Sequence, residues 1–230
     1  MKTAFLFPGQ GSQAIGMGRA LAEASPAAAR LFVEADRILG WSLSEVAWNG
    51  TEEELRRTDR TQPALYVTSL AAAAVLAERG VEPVVAAGHS VGEYAALAAA
   101  GVFDFETGLR LVALRSVAMH EASVAHPGGM AALLGMEAET AEEVCATVRH
   151  EHKGLVSVAN FNSPGQVVIS GETLALDLAI RLARMRGAVK VMPLAGAGAW
   201  HCELMKEAEE RLAPAIGAAA MNPPRIPVVA

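Results

Sequence analysis

Residues 81–100 read Val81-Glu82-Pro83-Val84-Val85-Ala86-Ala87-Gly88-His89-Ser90-Val91-Gly92-Glu93-Tyr94-Ala95-Ala96-Leu97-Ala98-Ala99-Ala100. An apolar run meets Gly-x-Ser-x-Gly, and a helix-prone, alanine-rich run follows. Strand, glycine-flanked serine and helix, in that order, make the setting of a nucleophile elbow. The glycines let the backbone turn sharply with no Cβ in the way. The turn lifts Ser90 Oγ out of the fold at a helix N-terminus, where backbone N–H groups can hold a developing oxyanion.

Upstream, Ala4–Phe7 reads as a first strand, 8–13 as a loop and 17–39 as largely helical. Thr51, with Glu54 three residues on, has the capping-box spacing of a helix start. Thr61-Gln62-Pro63-Ala64-Leu65 opens a helix that runs through the alanine stretch to Gly80. Downstream, Gly101 ends the elbow helix, and Asp104 caps a helix running to about Ser123.

The composition changes after Ala125-His126-Pro127-Gly128-Gly129. Strand 130–134, helix 138–150, strand 155–160, turn 162–165, strand 166–170, amphipathic helix 173–186 and strand 189–194 follow one another. The order β-α-β-β-α-β is that of a ferredoxin-like unit. The chain is therefore expected to be α/β, with residues 127–194 inserted as a small subdomain into a larger one made of 1–126 and 195–230. Residues 226–230 read as an unfinished strand, so the C-terminal end is expected to be truncated.

Composition narrows the function classes. The chain has 230 residues, 52% of them hydrophobic, enough for a sizeable core. A net charge of −6 argues against a nucleic-acid partner. No run reaches the length of a membrane span, and 1–7 is too short an apolar run for a signal peptide. Cys145 and Cys202 lack metal-site spacing, and two thiols do not make a disulfide framework. No metal is expected, and a reducing, cytoplasmic setting fits best.

A nucleophilic serine needs a base. His201 closes the small-residue loop Gly196-Ala197-Gly198-Ala199-Trp200, which suits a base that must reach a pocket, and suits a solvated loop histidine equally. His150 and His152 sit at a polar helix end, His126 in a Pro-Gly hinge, His120 at a helix close, and His89 within the elbow as a support for its turn. Arg115 is a separate clue. Its helical neighbours Leu111, Val112, Ala118 and Met119 are all apolar, which puts a guanidinium on a buried face. It needs an anionic partner, either an acidic side chain or a substrate carboxylate held bidentately. Gln10 follows the first strand in a Gly-flanked loop, the place where α/β folds carry ligand sites. Its side-chain amide or a backbone N–H can complete an oxyanion hole opposite the N–H of Val91, or the loop is simply a tight turn.

Together these stretches resemble the malonyl-CoA:acyl carrier protein transacylases and the acyltransferase domains of polyketide synthases. The resemblance runs in order through 7–13, 61–65, 88–97, the Arg115 helix and 160–171. It implies a hydrolase-like parallel-sheet core with a ferredoxin-like insertion. It implies Ser90 as the acylated nucleophile, His201 as its base, Gln10 and the Val91 N–H as the oxyanion hole, and Arg115 as the holder of the malonyl carboxylate. Gln62, Met119, Asn160 and Trp200 would line the substrate site. Val91 and Trp200 stand where malonyl-selective members carry a branched and an aromatic residue, although phenylalanine is commoner at the second place. Members of the family run longer than this chain, and a carbonyl from their last segment orients the base.

The expected reaction moves malonyl from malonyl-CoA to the phosphopantetheine thiol of acyl carrier protein, with no metal or redox cofactor; the phosphopantetheine comes with the partner. Carrier proteins are acidic, so Arg181, Arg184, Arg186 and Lys190 are candidates for docking one, or form an ordinary solvated face. Two other readings stand beside this one. A serine hydrolase or thioesterase would need an acid between serine and histidine, for which Asp104 and Asp177 are available. A non-catalytic fragment would bind acyl-CoA or carrier protein without acylation.

Overall fold

A computed structural model describes residues 2–194 and 198–229. In chain order the elements are β1 (Ala4–Phe7), α1 (Arg19–Ala24), α2 (Pro26–Leu39), α3 (Leu43–Asn49), α4 (Glu52–Arg56), α5 (Thr58–Glu78), β2 (Val85–Gly88), α6 (Gly92–Ala99), α7 (Phe105–Ala125), β3 (Gly128–Leu134), α8 (Ala138–His152), β4 (Val156–Ser163), β5 (Gln166–Glu172), α9 (Thr173–Met185), β6 (Lys190–Pro193), a 3₁₀ turn (Glu203–Met205), α10 (Lys206–Ala218) and β7 (Val228–Val229). They form two compact units, residues 1–117 with 212–230, and residues 118–211.

The first unit holds a parallel sheet in the order β1-β2-β7. Phe7 pairs with Gly88, so the Gln10 loop and the elbow leave the same end of neighbouring strands. Parallel strands need crossovers, and the helices supplying them bury Phe32, Leu43, Leu55, Leu65, Tyr66 and Val112 with Phe7 and Val91. Local chemistry sets the helix ends. The Ser25 hydroxyl accepts from the Ala28 N–H at 3.1 Å and Pro26 opens α2, so the largely helical stretch expected over 17–39 is made of two helices, α1 and α2. Thr51 caps α4 by accepting from the Glu54 N–H at 3.1 Å, as its spacing predicts. The helix expected from Thr61 begins at Thr58 and takes Pro63 into its interior. Thr58 and the whole run from Thr61 to Val67 are buried, so tertiary packing outweighs the proline's lost donor.

The Tyr66 hydroxyl donates to the Phe105 carbonyl at 3.2 Å, and a Cβ on Gly108 would fall 2.1 Å from that hydroxyl oxygen. That close approach seats the start of α7 on α5. Asp104 caps α7 by accepting from the Thr107 N–H at 2.8 Å, and this bond holds its carboxyl below the usual carboxylate range. The helix runs on to Ala125, so His120 lies within it rather than at its close.

The second unit holds an antiparallel sheet in the order β4-β5-β3-β6, the ferredoxin-like arrangement, with α8 and α9 packed on it. Leu133 and Ile169 are fully buried among Val144, Val148, Ala179 and Ile180. Removing each of those two side chains from water contributes about 1.5–3 kcal/mol. On α9 the buried positions 176, 179, 180 and 183 follow helical spacing, which leaves Arg181 and Arg184 exposed. The turn expected over 162–165 narrows to Pro164-Gly165, because β4 continues through Ser163. Register shifts between Val158 and Asn160 and between Phe161 and Ser163 keep that longer strand paired.

Candidate active site

The elbow has the backbone its sequence requires. Ser90 sits at φ 54, a left-handed conformation that costs a non-glycine residue on the order of 1 kcal/mol or more. A Cβ on Gly88 would lie 2.1 Å from the Gly92 carbonyl carbon, and one on Gly92 would lie 2.2 Å from the Phe7 carbonyl oxygen. Only hydrogens fit at these two places, so the turn is clamped between its own helix and the end of β1. The N–H of Gly92 bonds to the His89 carbonyl, that of Glu93 to Ser90 and that of Tyr94 to Val91. Among the described residues the Val91 N–H donates to no backbone carbonyl, which leaves an amide at the head of α6 beside the serine.

The Gln10 loop packs directly on this turn. The His89 N–H donates to the Phe7 carbonyl at 3.0 Å, and a Cβ on Gly9 would fall 2.7 Å from the His89 Nδ1 and carbonyl oxygen. The Gln10 side-chain amide donates to Thr58 Oγ1 at 2.9 Å. That bond occupies one donor of the side chain and pins the loop to the first turn of α5.

Arg115 comes to the same place from α7. Its guanidinium donates to Ser90 Oγ at 3.0 Å and to Gln62 Oε1 at 2.6 Å. Its Cζ stands 5.9 Å from the centre of the Tyr94 ring. Among the described residues no carboxylate forms an ion pair with it, so the acidic side-chain partner left open by the sequence is not found. Burial pulls the guanidinium below its ordinary value, while Tyr94 and Glu93 act the other way. Burial likewise raises the Tyr94 phenol, against the influence of Arg115. A largely desolvated, charged fork aimed at a serine oxygen suits an anionic group carried on whatever that serine attacks.

The first unit thus brings together Ser90, Val91, Gln10, Gln62 and Arg115. It adds Thr58 and Tyr94, which sequence reading missed as site residues. Tyr94 lay within the quoted elbow, and Thr58 stands one helical turn before Gln62, a spacing that becomes informative once the helix start is known.

The second unit carries Met119, Asn160, Trp200 and His201. Trp200 and Met119 are buried with Ala118, Met130, Val168 and Leu204. Asn160 is half-buried at a register shift in β4. His201 is exposed and has φ 58, the same left-handed conformation as Ser90, on a loop whose residues Gly196 and Ala197 lie outside the described ones. Burial raises the Cys202 thiol beside it. Arg181, Arg184, Arg186 and Lys190 are all exposed, and Arg186 pairs with Glu143 at 3.5 Å. Of the two acids that a hydrolase triad would call on, Asp104 is the α7 cap and Asp177 is exposed on α9.

Strand, strained serine, helix and a guanidinium at the serine make an arrangement suited to acyl transfer on an α/β scaffold. The acyl transferase domain family matches residues 4–230, and the chain belongs to that family. Its relatives narrow the class. The malonyl CoA-acyl carrier protein transacylase of Bacillus subtilis is 47% identical over 228 residues, 99% of this chain and 72% of that protein. The Escherichia coli K12 protein of the same name is 41% identical over 227 residues, 98% and 73% of the two chains. An acyl carrier protein S-malonyltransferase from Vibrio cholerae superposes with a TM-score of 0.92 at 43% identity, covering 100% of this chain and 74% of that one. So does a malonyl-transacylase solved with its type II polyketide acyl carrier protein, at 42% identity with the same coverage and TM-score.

Proposed function

We propose that this protein transfers the malonyl group of malonyl-CoA to the phosphopantetheine thiol of acyl carrier protein, in fatty-acid synthesis, through a malonyl-Ser90 ester. The observation that carries the reading is the Arg115 guanidinium at 3.0 Å from Ser90 Oγ, with no carboxylate ion-paired to it among the described residues. A malonyl group has an electrophilic carbonyl and a free carboxylate separated by one carbon, and this arrangement offers a nucleophile and a cation at matching positions.

In the first half-reaction His201 takes the Ser90 proton and Oγ adds to the thioester carbonyl. The oxyanion is held by the Val91 N–H and by Gln10; as it collapses the C–S bond breaks, and His201 returns the proton to the sulfur so that CoA leaves as the thiol. In the second half-reaction the carrier's thiol gives its proton to His201 and its sulfur attacks the ester carbonyl; the acyl C–Oγ bond breaks, and His201 returns the proton to Oγ to restore Ser90. Arg115 exchanges its bond to Oγ for the malonyl carboxylate, while Gln62 keeps the fork oriented. Trp200, Met119 and Asn160 shape the acyl site. The balance of protons and leaving groups closes without a metal or redox cofactor.

Arg181, Arg184 and Lys190 are proposed to attract the acidic carrier; Arg186 contributes less because Glu143 already faces it. Charge reversal at Arg184 is expected to slow transfer to the carrier at low salt and to leave acylation by malonyl-CoA unchanged. The setting is taken to be the cytoplasm, which suits two free cysteines, one of them buried with its thiol pushed up to about 11.

Intact mass after brief exposure to malonyl-CoA tests the core of this reading. One malonyl adduct is expected, absent in Ser90→Ala and strongly slowed in His201→Ala. An adduct that persists in folded Ser90→Ala would overturn it.

A further inference from the structure

We infer that Thr58 is a positioning residue for acyl transfer, acting through Gln10, and that the first turn of α5 sets the oxyanion loop and the carboxylate clamp from one helical face. The inference rests on the reading of Gln10 as part of the oxyanion hole.

Thr58 and Gln62 are four residues apart on α5, so their side chains lie one above the other. Both are buried, at 4% and 1% exposure. Buried polar side chains are kept where they have partners, and these two have partners on different segments. Thr58 Oγ1 accepts from Gln10 Nε2 at 2.9 Å, and Gln62 Oε1 accepts from Arg115 at 2.6 Å. One face of one helical turn therefore touches the loop after β1 and the guanidinium of α7.

That turn is itself fixed. The Thr61 hydroxyl donates to the Leu55 carbonyl, and the N–H groups of Arg60 and Thr61 bond the Arg57 carbonyl at 2.9 and 2.8 Å. The Gln10 loop, in contrast, is half-exposed, and Gly11 beside it has φ 107 with nothing within 4 Å of where a Cβ would stand. A loop with an open, glycine-permissive side needs an outside anchor to hold an N–H within tenths of an ångström of a forming oxyanion, and the Thr58 hydroxyl is that anchor. Thr58 itself is not placed at the reacting atoms. Its effect is on how well Gln10 is aimed.

The two contacts should separate in kinetics. The oxyanion forms with every acyl group, whereas the clamp serves only those with a carboxylate. Thr58→Val keeps the shape and removes the acceptor. It is expected to lower the single-turnover rate constant for acylation about ten-fold, with malonyl-CoA and acetyl-CoA alike, and to leave the apparent affinity for both unchanged. Thr58→Ser should recover most of that rate. Gln62→Ala should instead change the malonyl/acetyl ratio. In a Gln10→Ala background, Thr58→Val should add little, because its route of action is already gone.

Thermal melts of each variant separate a folding loss from a positioning loss, and Thr58→Ala replaces the valine variant if that one melts early. If Gln10→Ala slows acylation while folded Thr58→Val does not, the positioning role is wrong and the oxyanion reading stands. If folded Gln10→Ala acylates at the full rate, the Thr58 role fails, and with it the reading in which the Gln10 side-chain amide holds the oxyanion, while a backbone N–H of the loop, which this variant keeps, still can. Full additivity of the two variants would also overturn the inference.

Discussion

Two glycine turns in this molecule look alike in sequence and differ in kind. The elbow, Gly88 to Gly92, joins β2 to α6, and Pro164-Gly165 joins β4 to β5. At the hairpin, Gly165 has φ 71, and a Cβ there would find its nearest neighbours 3.8 and 3.9 Å away, ordinary contact distances. The glycine is wanted for its backbone angle alone. At the elbow neither Gly88 nor Gly92 has a positive φ; what excludes a side chain is backbone within 2.2 Å. The residue that does take the left-handed angle there is Ser90, the one that cannot be exchanged for glycine without losing its hydroxyl. The hairpin relieves its strain by residue choice, and the elbow imposes strain on its functional residue by close packing around it.

The largest effect is expected from attacking that packing. Gly92→Ala pushes a methyl into the Phe7 carbonyl and should cost on the order of 3 kcal/mol or more, read as a lowered denaturation midpoint or loss of cooperative unfolding. Next comes Arg115→Ala, which leaves the elbow intact. It should reduce the preference for malonyl-CoA over acetyl-CoA by about two orders of magnitude, measured as the ratio of acylation rates, with lysine a poor replacement because an ammonium lacks the fork. An unchanged ratio would refute the clamp.

Gly165→Ala should cost only about 1–2 kcal/mol, the left-handed penalty, without altering acylation. A loss as large as that at Gly92 would show that the two turns are not distinct in the way described. The smallest effect is expected at the α7 cap. Asp104→Ala should cost about 1 kcal/mol near neutral pH. Because the folded state holds this carboxyl below its ordinary range, the cap's contribution is complete above about pH 4 and fades as pH falls through the folded-state value. The stability gap between wild type and variant should therefore close in acid, as denaturation at a series of pH values would show.

Most of the scaffold could be read from the sequence because local chemistry decides it. The elbow, the Thr51 and Asp104 caps and the β-α-β-β-α-β order each rest on residues within a few positions of one another. The misreadings fall where that stops being true. The start of α5 lies at Thr58 because the turn is anchored to Leu55 and Gln10, one nearby and one far along the chain. For Arg115 the sequence leaves open an acidic side chain or a substrate carboxylate, and that choice depends on which groups surround it: Ser90 and Gln62, with no ion-paired carboxylate among the described residues. Thr58 and Tyr94 carried no signal of their own, since a threonine at a helix start and a tyrosine on an elbow helix are common for ordinary reasons.

The pairing of β2 with β7 has a consequence for how this chain is made. Ala86 aligns with Val228, so the central strand acquires its second neighbour only after the residues between them, the whole of 118–211 included, have been synthesised. Residues 118–211 form a continuous unit whose sheet partners all lie within it, and they leave the ribosome before that neighbour does. The discontinuous first unit is the slow one, because the β2–β7 pairing closes the long loop from Ala86 to Val228. Until then β2, the strand that aims Ser90, waits with one edge open. Chaperone dependence and translation pauses are therefore expected to matter most after residues 118–211 have emerged and before Val228 has reached Ala86.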